Sequence, residues 1–195
     1  MKKVILIEDR PGRQSQFLSK NEIEQLQAVN GLSTSKTDET NKLISEIDHS
    51  AFDLLSDYQL IIIHRSALSD MGINSLNSYC KSTKKDLIYF SGGITQCNYY
   101  NDGYNLLNIS VSELYNKSLS TTIRDYIEGK VQHLLEIVYG RSWRLSTMLC
   151  YRQWLTSNVG DIDLEKKEAF NAILGKTDYT LEVLNKEINK KFILL

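Results

Sequence analysis

Runs of four apolar residues interrupt an otherwise mixed pattern three times in the first half of the chain: Val4–Ile7, Leu60–Ile63 and Leu87–Phe90. Short continuous runs of this kind predict strands buried on both faces, as in a parallel sheet. Between them apolar residues return at helical spacing. Phe17, Leu18, Ile23, Leu26 and Val29 predict one helix. Leu43, Ile44, Ile47, Phe52, Leu54 and Leu55 predict a second, and Met71, Leu76 and Tyr79 a third, with Ser69-Asp70 as its N-cap. Pro11 and Gly12 mark a turn after the first strand, and Ser91-Gly92-Gly93 stops the strand that starts at Leu87. A short strand at Leu32–Thr34 and another at Tyr104–Ile109, interrupted by Asn105 and Asn108, complete the set. Strands alternating with helices require crossovers between parallel neighbours, so residues 1–118 are expected to form a doubly wound, five-stranded parallel α/β sheet.

From Ser112 onward no strand signal of similar strength returns. Ile123, Ile127, Val131, Leu134, Leu135, Val138, Leu145, Met148 and Leu149 recur at helical spacing, and further helices are expected over Asp163–Leu174 and Tyr179–Phe192, separated by Gly175. Residues 119–195 are therefore expected to be an α-helical C-terminal extension of about three helices, packed on the α/β unit.

A chain of 195 residues accommodates a domain of about 110–130 residues with such an appendix. Its 42 % apolar and 24 % charged residues are those of a globular protein. The net charge of −1 excludes a global basic field for nucleic acid, so any such binding would need a local patch. Cys80, Cys97 and Cys150 are widely spaced and contain no CxxC pair, which fits reduced thiols rather than a disulfide framework or a zinc site. After Met1-Lys2-Lys3 only four apolar residues precede Glu8-Asp9-Arg10, too few for a signal core or a membrane span. The expectation is a cytoplasmic protein without a membrane partner.

The chemistry-bearing residues sit where open α/β sheets place their sites, at strand ends. Val4–Ile7 runs into Glu8-Asp9, Leu60–Ile63 into His64, and Leu87–Phe90 into Ser91. In this order and spacing, Ile5-Leu6-Ile7-Glu8-Asp9, Ile61-Ile62-Ile63-His64, Tyr89-Phe90-Ser91-Gly92 and Gly103-Tyr104-Asn105-Leu106-Leu107-Asn108 resemble the receiver domain of bacterial two-component response regulators. The resemblance covers Lys3 to about Leu114, a little over half of the chain, and Ser112-Glu113-Leu114 looks like the start of that family's last helix.

The resemblance implies a flavodoxin-like fold with a pocket at Glu8, Asp9, His64, Ser91 and Asn108. It also implies that the pocket is degenerate. Receivers phosphorylate an Asp at the end of the third strand and neutralise the phosphoryl group with Mg²⁺ and a Lys, a problem of positioning and charge. Here His64 stands for the Asp and Asn108 for the Lys. Ordinary aspartyl phosphorylation is then not expected, and the chain resembles a pseudo-receiver.

Each site has a plainer alternative. Glu8 and Asp9 are either a residual Mg²⁺ site, with Asp9 as the metal ligand, or polar capping of a strand end. His64 is a phospho-acceptor, a metal ligand or a pH switch, or else a buried imidazole hydrogen-bonded to Asp9 or Ser91. Ser91-Gly92-Gly93 is a phosphate cradle, or a loop whose glycines supply positive φ. In the tail, Arg141, Arg144 and Arg152 interleave with Trp143, Tyr151 and Trp154. That composition suits a protein interface, a nucleic-acid surface or an amphipathic helix whose aromatics fill a core. His49 and His133 stand alone, expected on solvated helix faces, and no GxSxG, HExxH, Walker or GxGxxG sequence occurs.

The sequence therefore points to a signalling module that binds protein partners, a second copy of itself included, without a catalytic residue or cofactor. Arg141, Trp143, Arg144, Arg152 and Trp154 are its candidate partner surface. A receiver-like domain with a nucleic-acid-binding helical output, and a flavodoxin-like enzyme acting on a small phosphorylated ligand, stand as alternatives.

Overall fold

In the computed structural model the three apolar runs form the centre of one sheet. The structure describes residues 2–143 apart from 11, 36, 95, 96, 102, 132, 141 and 142. β1 (Val4–Ile7) and β3 (Leu60–His64) are buried at every position, and β4 (Asp86–Ser91) at all but its first. β2 (Leu32–Thr34) lies on the other side of β1, and β6 (Asn105–Ser110) on the far side of β4; all four of these pairings are parallel.

The expected five-stranded sheet has a sixth strand among the described residues. β5 (Asn98–Asn101) runs antiparallel to β6, giving the order β2-β1-β3-β4-β6-β5. Gly103, in the connection between them, has φ +77°, a backbone state that glycine adopts without steric cost. The sheet is α/β and mostly parallel, consistent with a flavodoxin-like fold.

Alternation along each strand divides the core. Ile5, Ile7, Ile61, Ile63, Leu87 and Tyr89 cluster with Leu43 and Ile47 of α2 (Thr37–Asp48) and Leu76 and Cys80 of α3 (Asp70–Thr83). Their sequence neighbours Leu6, Ile62, Ile88 and Phe90 are equally buried. They point to the opposite face, the side of α1 (Lys20–Gln27) and α5 (Leu119–Ile127), which contact each other.

Helix ends explain where the predicted patterns stop. Ser19 and Glu22 form a capping box, so α1 begins after Phe17 and Leu18 rather than including them. Ser69 caps α3 as expected, accepting from the Gly72 N–H at 3.1 Å. α2 ends at Asp48, and Leu54 and Leu55 belong to a separate 3₁₀ turn. Gly129, at φ +75°, breaks the pattern expected to continue from Ile123 to Val138. The Lys130 N–H donates to Asp125 O and the Gly129 N–H to Tyr126 O, the paired bonds of a Schellman stop. His133 leaves the helix too: its Nδ1 accepts from the Leu135 N–H, and its ring packs on Tyr99 with centroids 4.4 Å apart.

The chain divides into two compact units, Met1–Gly140 and Arg141–Leu195. A boundary at residue 118 therefore falls inside the first unit. The reason is burial: α5 contributes Leu119, Ile123, Tyr126 and Ile127 to the core, and the Lys2 N–H, just before β1, donates to Ile127 O. Of the second unit only Trp143 is described. The helices expected beyond it, with Arg141, Arg144, Arg152 and Trp154, lie outside the described residues. Among the described residues no helix is long and apolar enough to cross a membrane.

Candidate functional site

Parallel register brings the carboxyl ends of β1, β3, β4 and β6 to one edge of the sheet: Ile7 pairs with Ile63, His64 with Phe90, and Ser91 with Ser110. Glu8, Asp9, His64 and Ser91 follow or end these strands, so the topology collects residues separated by more than 80 positions in sequence.

His64 is 1 % exposed. Its Nδ1 lies 2.5 Å from Asp9 Oδ1, so the N–H donates to the carboxylate. Of the two partners foreseen for this imidazole, Asp9 is the one used. Burial lowers the pKa of His64, helped by the positive charges of Arg13 and Arg10 and opposed by Asp9. Glu8 is tied on both oxygens: Oε1 accepts the Arg10 N–H at 3.0 Å, and Oε2 accepts the Tyr115 hydroxyl at 3.0 Å. Burial raises the Glu8 carboxyl above its ordinary value, against the pull of the Arg10 N–H, Arg13 and Tyr115.

Glu8, Asp9 and His64 place possible ligand atoms within 4.8 Å of one another. The donor set nevertheless fits a Mg²⁺ ion poorly. Each carboxylate already accepts a hydrogen bond, and the Arg13 guanidinium stands 3.6 Å from Glu8 Oε1, both side chains being under 10 % exposed. A fixed cation at that distance repels a second one.

Arg13 is the residue that sequence reasoning missed. It is 7 % exposed, and its Nη1 is buried without a hydrogen-bond partner among the described residues. The turn marked by Gly12 puts it there: the Arg13 N–H donates to Arg10 O at 3.2 Å, and Gly12 takes φ +80°, a backbone state that glycine adopts without steric cost. Arg10 and Arg13 both line a pocket of about 380 Å³, together with Gln16, Phe17, His64, Ser66, Ser91, Gly92, Gly93 and Val111. The signal was present as two arginines flanking Pro-Gly directly after the acidic pair.

Ser91 lines the pocket. Its Oγ accepts the Gly93 N–H at 3.2 Å and lies 3.0 Å from Ser66 Oγ. Gly92 and Gly93 do not supply positive φ, and a Cβ at Gly92 would meet nothing within 4 Å. Neither a strained turn nor close packing requires glycine there. What the missing side chains leave is open space.

Asn108 is not brought to this site. It lies inside β6, level with Tyr89 and Asn98, two residues short of the strand end at Ser110. Trp143 is buried, and the rest of the predicted partner-binding set lies outside the described residues. Compared with known proteins, the chain matches no family model, no curated protein and no solved structure.

Proposed function

We propose that the first unit is a pseudo-receiver: a non-enzymatic regulatory module of a bacterial signalling system that works by binding, without aspartyl phosphorylation. The observation that carries this reading is the group at the end of β3, an imidazole hydrogen-bonded to Asp9 where a receiver would present a carboxylate nucleophile. The strand order β2-β1-β3-β4-β6, once the antiparallel β5 is set aside, is that of flavodoxin-like sheets and supports the same reading. A cation beside the acidic pair, where a receiver holds Mg²⁺, supports it further. Its partners are cytoplasmic proteins, a second copy of the chain among them.

Incubation with Mg²⁺ and acetyl phosphate, followed by intact mass measurement, tests the proposal. No covalent adduct is expected. A stoichiometric, acid-labile phosphoryl adduct would overturn it.

A further inference from the structure

We propose that the pocket at the carboxyl edge of the sheet reversibly binds a small phosphate monoester, its anionic head held by Arg13 and Arg10 and its organic part against Phe17. The inference rests on the preceding reading, because it names a ligand for a module that binds without turnover.

Four observations converge on it. Arg13, 7 % exposed, lines the pocket, and its Nη1, itself buried, has no hydrogen-bond partner among the described residues. Buried donors are normally satisfied, and a guanidinium fork matches the oxygens of a phosphate better than any other common partner except a carboxylate. Glu8 Oε1 forms an ion pair with Nη1 at 3.6 Å, longer than a hydrogen bond. The second observation is charge: among the described residues lining the pocket there are two arginines and no acid.

The hydroxyls supply the third. Ser66 and Ser91 share one hydrogen across 3.0 Å, which leaves the second hydroxyl hydrogen to donate elsewhere. The fourth is shape. Gly92 opens the wall where a Cβ would meet nothing, so an oxyanion can approach the backbone closely. Phe17, a large apolar side chain 38 % exposed, also lines the pocket. A volume of about 380 Å³ lies in the range of small-molecule sites and exceeds what a bare phosphate fills.

The experiment titrates the full chain with inorganic phosphate and with phenyl phosphate, using calorimetry and the ¹⁵N shifts of Ser91, Gly92 and Gly93. Localised shifts and saturable binding are expected below roughly 10 mM, with phenyl phosphate about tenfold tighter than phosphate. Arg10→Gln, on the exposed rim, is expected to weaken phenyl phosphate about fivefold to tenfold. Gly92→Leu removes no charge and fills the open space, and it is expected to abolish binding while thermal unfolding stays cooperative. Arg13→Gln should abolish binding as well, and the other two variants decide the matter if that protein fails to fold.

No shift with either probe, or affinity unchanged in both Arg10→Gln and Gly92→Leu, overturns the proposal. Inorganic phosphate binding as tightly as phenyl phosphate overturns the monoester assignment. Intact mass of the same protein after Mg²⁺ and acetyl phosphate separates failure of this proposal from failure of the preceding reading, since reversible binding adds no covalent mass.

Discussion

The two ends of the sheet bury cations to almost the same degree and use them differently. At the amino end Lys85 is 8 % exposed, and its Nζ donates to Ser56 O and Tyr58 O, both at 2.7 Å. At the carboxyl end Arg13 is 7 % exposed, with Nη1 left without a hydrogen bond among the described residues. Around Lys85 the polar groups close on one another. Asp86 accepts from Asn105 Nδ2 at 2.7 Å and from Tyr126 Oη at 2.6 Å, and Asn105 Oδ1 in turn accepts from Tyr99 at 2.7 Å. That closed network joins β4, β5, β6 and α5. The carboxyl end spends its hydrogen bonds on holding Glu8, Asp9 and His64 in place and leaves guanidinium, hydroxyl and open backbone around a pocket. A satisfied buried network rigidifies a fold, whereas a pocket lined by arginines, hydroxyls and open backbone is a place for a ligand.

Three substitutions sharpen this contrast. The largest effect is expected at the amino end. Asp86→Ala strands the Tyr126 hydroxyl and the Asn105 amide together, which costs about 3 kcal/mol. Urea unfolding measures it, and a change below about 1 kcal/mol would show that the network is not structural.

The next effect is at Arg13, and it depends on pH. Arg13→Met removes the cation beside Glu8, whose carboxyl burial already holds above its ordinary value of 4.5, and so raises it further. A carboxyl with a raised folded pKa stabilises fully below its unfolded pKa, and that contribution is lost as pH rises through the folded value. The penalty of the substitution should therefore be about 2 kcal/mol at pH 7 and vanish near pH 4.5. It falls short of the loss at a directly hydrogen-bonded buried pair because Glu8 keeps the Arg10 N–H and the Tyr115 hydroxyl. A penalty independent of pH would place the role of Arg13 in packing alone.

The smallest effect belongs to His64. Its pKa is lowered from 6.5, so the unfolded chain takes up the proton first, and stability falls as pH drops through 6.5 toward the folded value. Comparing denaturation at pH 7.5 and pH 5.5, the native protein should lose about 1 kcal/mol that His64→Gln does not lose. An equal loss in both would assign the pH dependence to other groups.

Much of the scaffold was legible because its signals are local. Val4–Ile7, Leu60–Ile63 and Leu87–Phe90 are apolar without interruption, and only a strand buried on both faces suits so short a run. β5 was not legible. In Asn98-Tyr-Tyr-Asn101 only Tyr99 is buried, and the segment is a strand because β6 lies beside it. Asn108 was assigned to the pocket by its distance from a motif, while pairing with Tyr89 holds it two residues inside the strand.

The sequence by itself determined the α/β alternation, the acidic pair after β1, the imidazole that ends β3 and the hydroxyl that ends β4, since each follows from the residue at a strand end. Only the tertiary structure decided that Arg13 is buried, that Glu8 is held by Tyr115 from 107 residues away, and that Gly92 faces open space. Burial and hydrogen-bond satisfaction are properties of surroundings assembled from distant segments, and no local pattern encodes them.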